Sequence, residues 1–163
     1  MRQLKLNKVV AFLGVFLLLL LTYFRQNFFL EINAILASEA FDRSNSYWLS
    51  DFFNNIPFAN LLKLKWGLTM VFSIVMTAVT ILSLHFWFKS IHFFKVVGLF
   101  YLVLFVVICL LALIGFLTNS FNDIYFALRK LLGLVQSPLP FFTFFTLFYR
   151  VLKKDDSFQP YKF

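Results

Sequence analysis

Residues 66–88 read WGLTMVFSIVMTAVTILSLHFWF, between Lys65 and Lys89. These 23 residues carry no Asp, Glu, Lys or Arg. As a helix they suffice to cross a membrane, which takes about 20 apolar residues. Trp66 and Trp87 lie 21 residues apart, or ~31 Å at the helical rise. That separation is close to the roughly 30 Å of a bilayer's hydrocarbon core. Each indole then falls in an interfacial belt, where amphipathic rings are favoured.

Working outward, residues 96–117, VVGLFYLVLFVVICLLALIGFL, form a second uncharged run of 22 residues. Only Ser90 to Phe94 separate Lys89 from Lys95, so the two runs make a tight helical hairpin. Toward the N-terminus, residues 9–24 read VVAFLGVFLLLLLTYF, after Arg2, Lys5 and Lys8 and before Arg25. The basic start resembles a signal peptide, but no small-x-small cleavage site follows. This run reads as an uncleaved signal anchor, short enough for Lys8 and Arg25 to snorkel to the interfaces.

The last apolar stretch is interrupted. Ser120 and Asp123 have capping-box spacing, and a helix follows through IYFALRKLLGLV. Then comes Gln136-Ser137-Pro138-Leu139-Pro140. Two prolines one residue apart break or kink a helix, because each lacks a donor and crowds the preceding turn. A further apolar piece runs over 141–152, before Lys153 and Lys154. Residues 131–152 are expected to form one interrupted span; the alternative is a re-entrant piece followed by a short terminal helix. The predicted fold is all-α: a single polytopic membrane domain, 1–163, with about four transmembrane helices, the fourth interrupted at residues 136–140.

Residues 25–65 are the only sizeable part outside the runs. Leu49, Phe52, Phe53 and Ile56 fall at i, i+3, i+4 and i+7, with Ser50, Asp51, Asn54 and Asn55 opposite. That spacing predicts a short amphipathic helix on the membrane surface or against the bundle. Phe28, Ile32, Ile35 and Leu36 predict another. Trp48, Trp66 and Trp87 are the expected interfacial anchors.

Composition agrees with this reading. Hydrophobic residues make up 61% of the chain and charged residues 13%. A soluble domain of this size has too little interior to hide so much apolar surface. The formal charge of +8 does not point to nucleic acid, because the basic residues flank apolar runs, where they orient helices and meet lipid head groups. Arg2, Lys5, Lys8, Lys89, Lys95, Arg150, Lys153, Lys154 and Lys162 fall on the side of the N-terminus. Arg25, Arg43, Lys63, Lys65, Arg129 and Lys130 fall on the other. The excess predicts both termini inside.

No HExxH, GxSxG or P-loop motif is present, and no carboxylate pair lies within a span, so neither catalysis nor ion-coupled transport is expected. No cofactor or metal is expected either. The single cysteine, Cys109, has no nearby His or cation to activate it and reads as a small buried hydrophobe. His85, Lys89 and His92 share a helical face if the helix continues. A cation between two imidazoles repels metal, so they read as a polar cap at an interface.

Polar groups at membrane depth usually face the protein interior, and here they concentrate around the helix break. Tyr125, Arg129, Lys130, Gln136, Ser137 and Pro138 are the candidate contact residues. They read either as a contact site for a partner protein, a peptide or an anionic head group, or as a kinked helix satisfied internally. If Gln136 is a recognition group, Gln136→Leu is expected to leave the isolated protein no less stable.

The stretch IYFALRKLLGLVQSPLPFFTFFTLFY resembles the ending of small bacterial membrane proteins associated with exosortases, of the exosortase F system-associated type or a sister group. Tyr125, Arg129-Lys130, Gln136, Pro138-Leu139 and Phe148-Tyr149 carry the resemblance. Arg129-Lys130 stands where that family has paired arginines, and Ser137 is added before the proline. The run after Arg25, NFFLEINAIL, is similar to an aromatic segment past the family's first helix. The resemblance implies a bacterial inner-membrane accessory protein in the sorting of proteins with a C-terminal anchoring signal. Its partners would be membrane lipids and an exosortase-like protease. The chain lacks the Cys, Arg and His constellation of exosortases themselves. A stand-alone envelope or lipid-interacting protein is a second expectation, and a small transporter or channel component a third.

Overall fold

Helix formation without a turn former explains the first difference from these expectations. Arg25 ends an apolar run, but neither Gly nor Pro occurs between it and Ala37, so nothing stops the backbone ladder there. The computed structural model describes residues 2–37, 52–53, 55–118 and 121–157, with side chains for 7–37, 52–53, 55–118 and 124–153. In it, α1 is one continuous helix, Arg2–Ala37. Phe28, Ile32, Ile35 and Leu36 are thus the continuation of the first span rather than a separate surface helix.

Helix α2 spans Phe58–Phe88. Pro57 precedes it, and its carbonyl accepts the N–H groups of Asn60 and Leu61 at 2.9 Å each. The helix stops at Lys89, which adopts the left-handed conformation at φ 52° and donates its N–H to the His85 carbonyl at 2.8 Å. Ser90 is extended, and α3 runs from Ile91 to Leu117. The helix therefore does not continue from His85 to His92, and the three residues do not share the face expected of them. Helix α4 spans Phe121–Val135 and α5 spans Leu139–Ser157.

Helices α1, α2 and α3 are each long and apolar enough to cross a membrane; α4 and α5 together make a fourth such element, bent by 55° at the break. Among the described residues the protein is all-α, with three continuous helices that can span a membrane and a fourth, bent pair that is either a broken span or a re-entrant piece. Its outward faces need lipid. Phe12, Met70, Ile74, Leu102, Phe105 and Phe116 are each at least 60% exposed. In water each would forgo about 1.5–3 kcal/mol of burial. Cys109 is exposed as well, so it lies on the lipid face of α3 and not in the interior.

Two clusters hold the bundle. The larger joins Leu18 of α1, Met76 and Leu84 of α2, Val97 and Tyr101 of α3, Val135 of α4, and Phe141 and Phe148 of α5. Aromatic rings tie one end of it: Phe148 stacks on Phe93 at 4.1 Å, Trp87 meets Phe145 edge-on at 5.2 Å, and Lys8 lies over Trp87 at 5.9 Å. Gly14 of α1 faces Ser83 of α2, where an added Cβ would stand 3.1 Å from the Ser83 Cβ. A small residue here lets two backbones approach, the usual device of helix packing in lipid.

The smaller cluster lies at the opposite end, around Ile32, Phe53 and Leu61. It pairs the extended ends of α1 and α2. A helix of 36 residues is ~54 Å long and outruns the ~30 Å hydrocarbon core, so these ends reach past it together. Phe53 is buried against them while Phe52 is exposed. Of the helix predicted over 49–56, Phe52 and Phe53 are helical while Asn55 and Ile56 form a turn and a bend; Phe53 packs on the bundle and Phe52 does not, and residues 49–51 and 54, like Trp48, lie outside the described residues.

Candidate functional site

Gln136 is where local chemistry and depth conflict most. It follows α4 at a position 1% exposed, and a primary amide in so apolar a setting must find partners for its donors and acceptor. It finds them on two other helices. Its Oε1 accepts the Arg25 Nε of α1 at 2.6 Å. Its Nε2 donates to the Thr69 carbonyl at 2.7 Å and to the Ser73 Oγ at 2.6 Å, both on α2. Thr69 and Ser73 in turn donate to carbonyls one turn back, those of Lys65 and Thr69. The amide is fully engaged inside the protein. The expectation that Gln136→Leu leaves the isolated protein no less stable is therefore corrected: the substitution strips an acceptor from a guanidinium and a donor from two groups on α2.

The break beside it has its own local logic. Pro138 cannot donate to the Leu134 carbonyl, as an uninterrupted helix would require. Ser137 replaces it: its N–H and its Oγ both reach that carbonyl, at 3.3 and 2.9 Å. The same Oγ accepts the Leu139 N–H at 3.4 Å, tying the start of α5 to the end of α4. Pro140 lies in the first turn of α5, where a missing donor costs nothing. Ser137 and Pro138 thus shape the chain.

Above the amide lies a small cavity of about 130 Å³. Arg25, Phe29 and Asn33 line it from α1, Lys65, Trp66 and Thr69 from α2, and Tyr125, Leu128, Arg129, Leu132 and Gln136 from the α4 side. Three of these side chains are cations, and among the described residues no carboxylate lines the cavity. Arg25 and Arg129 are near enough for their positive charges to act on one another. The Arg25 guanidinium is fixed on two sides, by Gln136 at Nε and by the Phe29 ring at 5.5 Å. Trp66, expected from the sequence to be an interfacial anchor, is among the lining residues.

Of the six residues expected from sequence, Tyr125, Arg129 and Gln136 come together in this cavity. Lys130 does not line it; its ammonium lies 4.3 Å from the Phe126 ring, on the exposed side of α4. Sequence reading missed Arg25, Phe29, Asn33, Lys65 and Thr69 as members. The signal available was that Arg25, Lys65 and Arg129 all fall on one side of the membrane when the basic residues are sorted by span. Among the described residues no group of three or more His, Cys, Asp or Glu is placed to hold a metal ion. No protein-family model, no curated protein and no solved structure matches the chain.

Proposed function

We propose that the chain is a non-catalytic accessory protein of an exosortase-like sorting system, resident in the bacterial inner membrane with both termini inside. One observation supports it above the others. Residues of the C-terminal pattern that carries the family resemblance serve a common structural end. Tyr125, Arg129 and Gln136 line one cavity with α1 and α2, and Pro138 lies at the break where α4 and α5 meet with a 55° bend. A pattern with a shared purpose in space is what an inherited accessory surface requires.

The experiment is co-purification of the tagged full chain from native membranes with an exosortase encoded beside it. The accessory reading expects stable retention of the protease, weakened by Arg129→Ala at unchanged melting temperature. No retention by the wild-type chain, together with normal sorting of anchored proteins in cells lacking it, overturns the reading. The cavity lined by Arg25, Lys65 and Arg129 favours a second reading, a stand-alone protein that acts on anionic lipid.

A further inference from the structure

We infer that Arg25, Lys65 and Arg129 form a binding site for a phosphate group at the membrane interface, the head group of an anionic phospholipid. The site stands whether or not the chain serves a sorting enzyme. Three cations from three helices line one cavity, and no carboxylate lines it among the described residues. The positive charges of Arg25 and Arg129 act on one another, and an anion between them relieves that repulsion.

The Arg25 guanidinium is also oriented for the task. Gln136 engages only its Nε, so the Nη edge remains for a forked pair of bonds to phosphate oxygens, the geometry that guanidinium favours. Gln136 itself is engaged with α2 as well, which fixes the plane of the fork. A cavity of about 130 Å³ is well below the roughly 300–1,000 Å³ that holds a drug-sized ligand. It suits a single head group whose acyl chains lie outside, along the exposed apolar faces. Trp66, the expected interfacial anchor among the lining residues, favours the depth at which lipid phosphates lie.

The test uses the full chain in nanodiscs of phosphatidylcholine, with short-chain phosphatidylglycerol titrated in and bound lipid counted by native mass spectrometry. Wild-type protein retains phosphatidylglycerol, and Arg129→Gln and Lys65→Gln each weaken retention by on the order of tenfold, as loss of a charge-assisted bond predicts. Lys130→Gln removes an equal charge that does not line the cavity and leaves retention unchanged. The two variants sit on different helices, so a folding failure in one does not decide the outcome; melting temperature in phosphatidylcholine screens for it. In a parallel arm, inorganic phosphate is added at millimolar concentration. Displacement of lipid by it places recognition in the phosphate alone, with free phosphate esters as an equal source. Persistence of bound lipid assigns the site to the head group. Equal loss of lipid in Lys130→Gln and Arg129→Gln, or no loss in either cavity variant, overturns the site.

Discussion

At Gln136 a single amide joins three helices through bonds of 2.6 to 2.7 Å. Polar contacts between helices in a membrane are worth about 0.6 kcal/mol on average. This one costs more to lose, because Arg25 is left with a donor unmet and hydrogen bonds to charged groups run to about 1.5–3 kcal/mol. Gln136→Leu is therefore expected to lower stability by about 1–2 kcal/mol, read as a fall in melting temperature in neutral detergent. Gln136→Leu with Arg25→Leu should recover much of that fall, since replacing both partners by apolar groups can be nearly neutral. A double variant that is less stable than the single would count against the account. Sequence reading flagged Gln136 for its depth but not its partner, because Arg25 lies 111 residues away and pairing over that distance leaves no local trace.

Packing of α1 on α2 turns on the Gly14–Ser83 approach. Gly14→Val is expected to force the helices apart and destabilise by about 1–3 kcal/mol, the usual range for overpacking. Ser83→Gly in the same chain should relieve most of it, measured by thermal unfolding of both variants. The extended ends of the same two helices give a second test. Phe53→Asp buries a charge beside Ile32 and Leu61 and should loosen this end, with faster hydrogen exchange over residues 28–36 and 58–68. Phe52→Asp, on an exposed residue, should leave exchange there unchanged. The spans were legible because apolar length is a local property that lipid reads directly. The reach of α1 beyond Arg25 was not, because an interfacial charge looks like a boundary although it breaks no backbone bond. The fate of Phe52 was missed for a related reason: periodicity assigns a face, and only packing says how wide the buried part of that face is.

The proposed topology has both termini inside: it takes the bent pair as one span, and rests on nine basic residues on the N-terminal side against six on the other. Alkaline phosphatase fused after Phe163 should be inactive and a fusion after Arg43 active; the reverse pattern would invert the topology. In that orientation the Arg25, Lys65 and Arg129 cavity faces away from the cytoplasm. The order of the chain adds a schedule to this geometry. Arg25 is made and inserted early, while its acceptor Gln136 follows 111 residues later. At ~5–20 residues per second the guanidinium waits on the order of ten seconds for its neutral partner. During that wait the nascent hairpin must shelter the charge in water or beside the insertion machinery. Any chain ending before residue 136 would keep that cation without its acceptor.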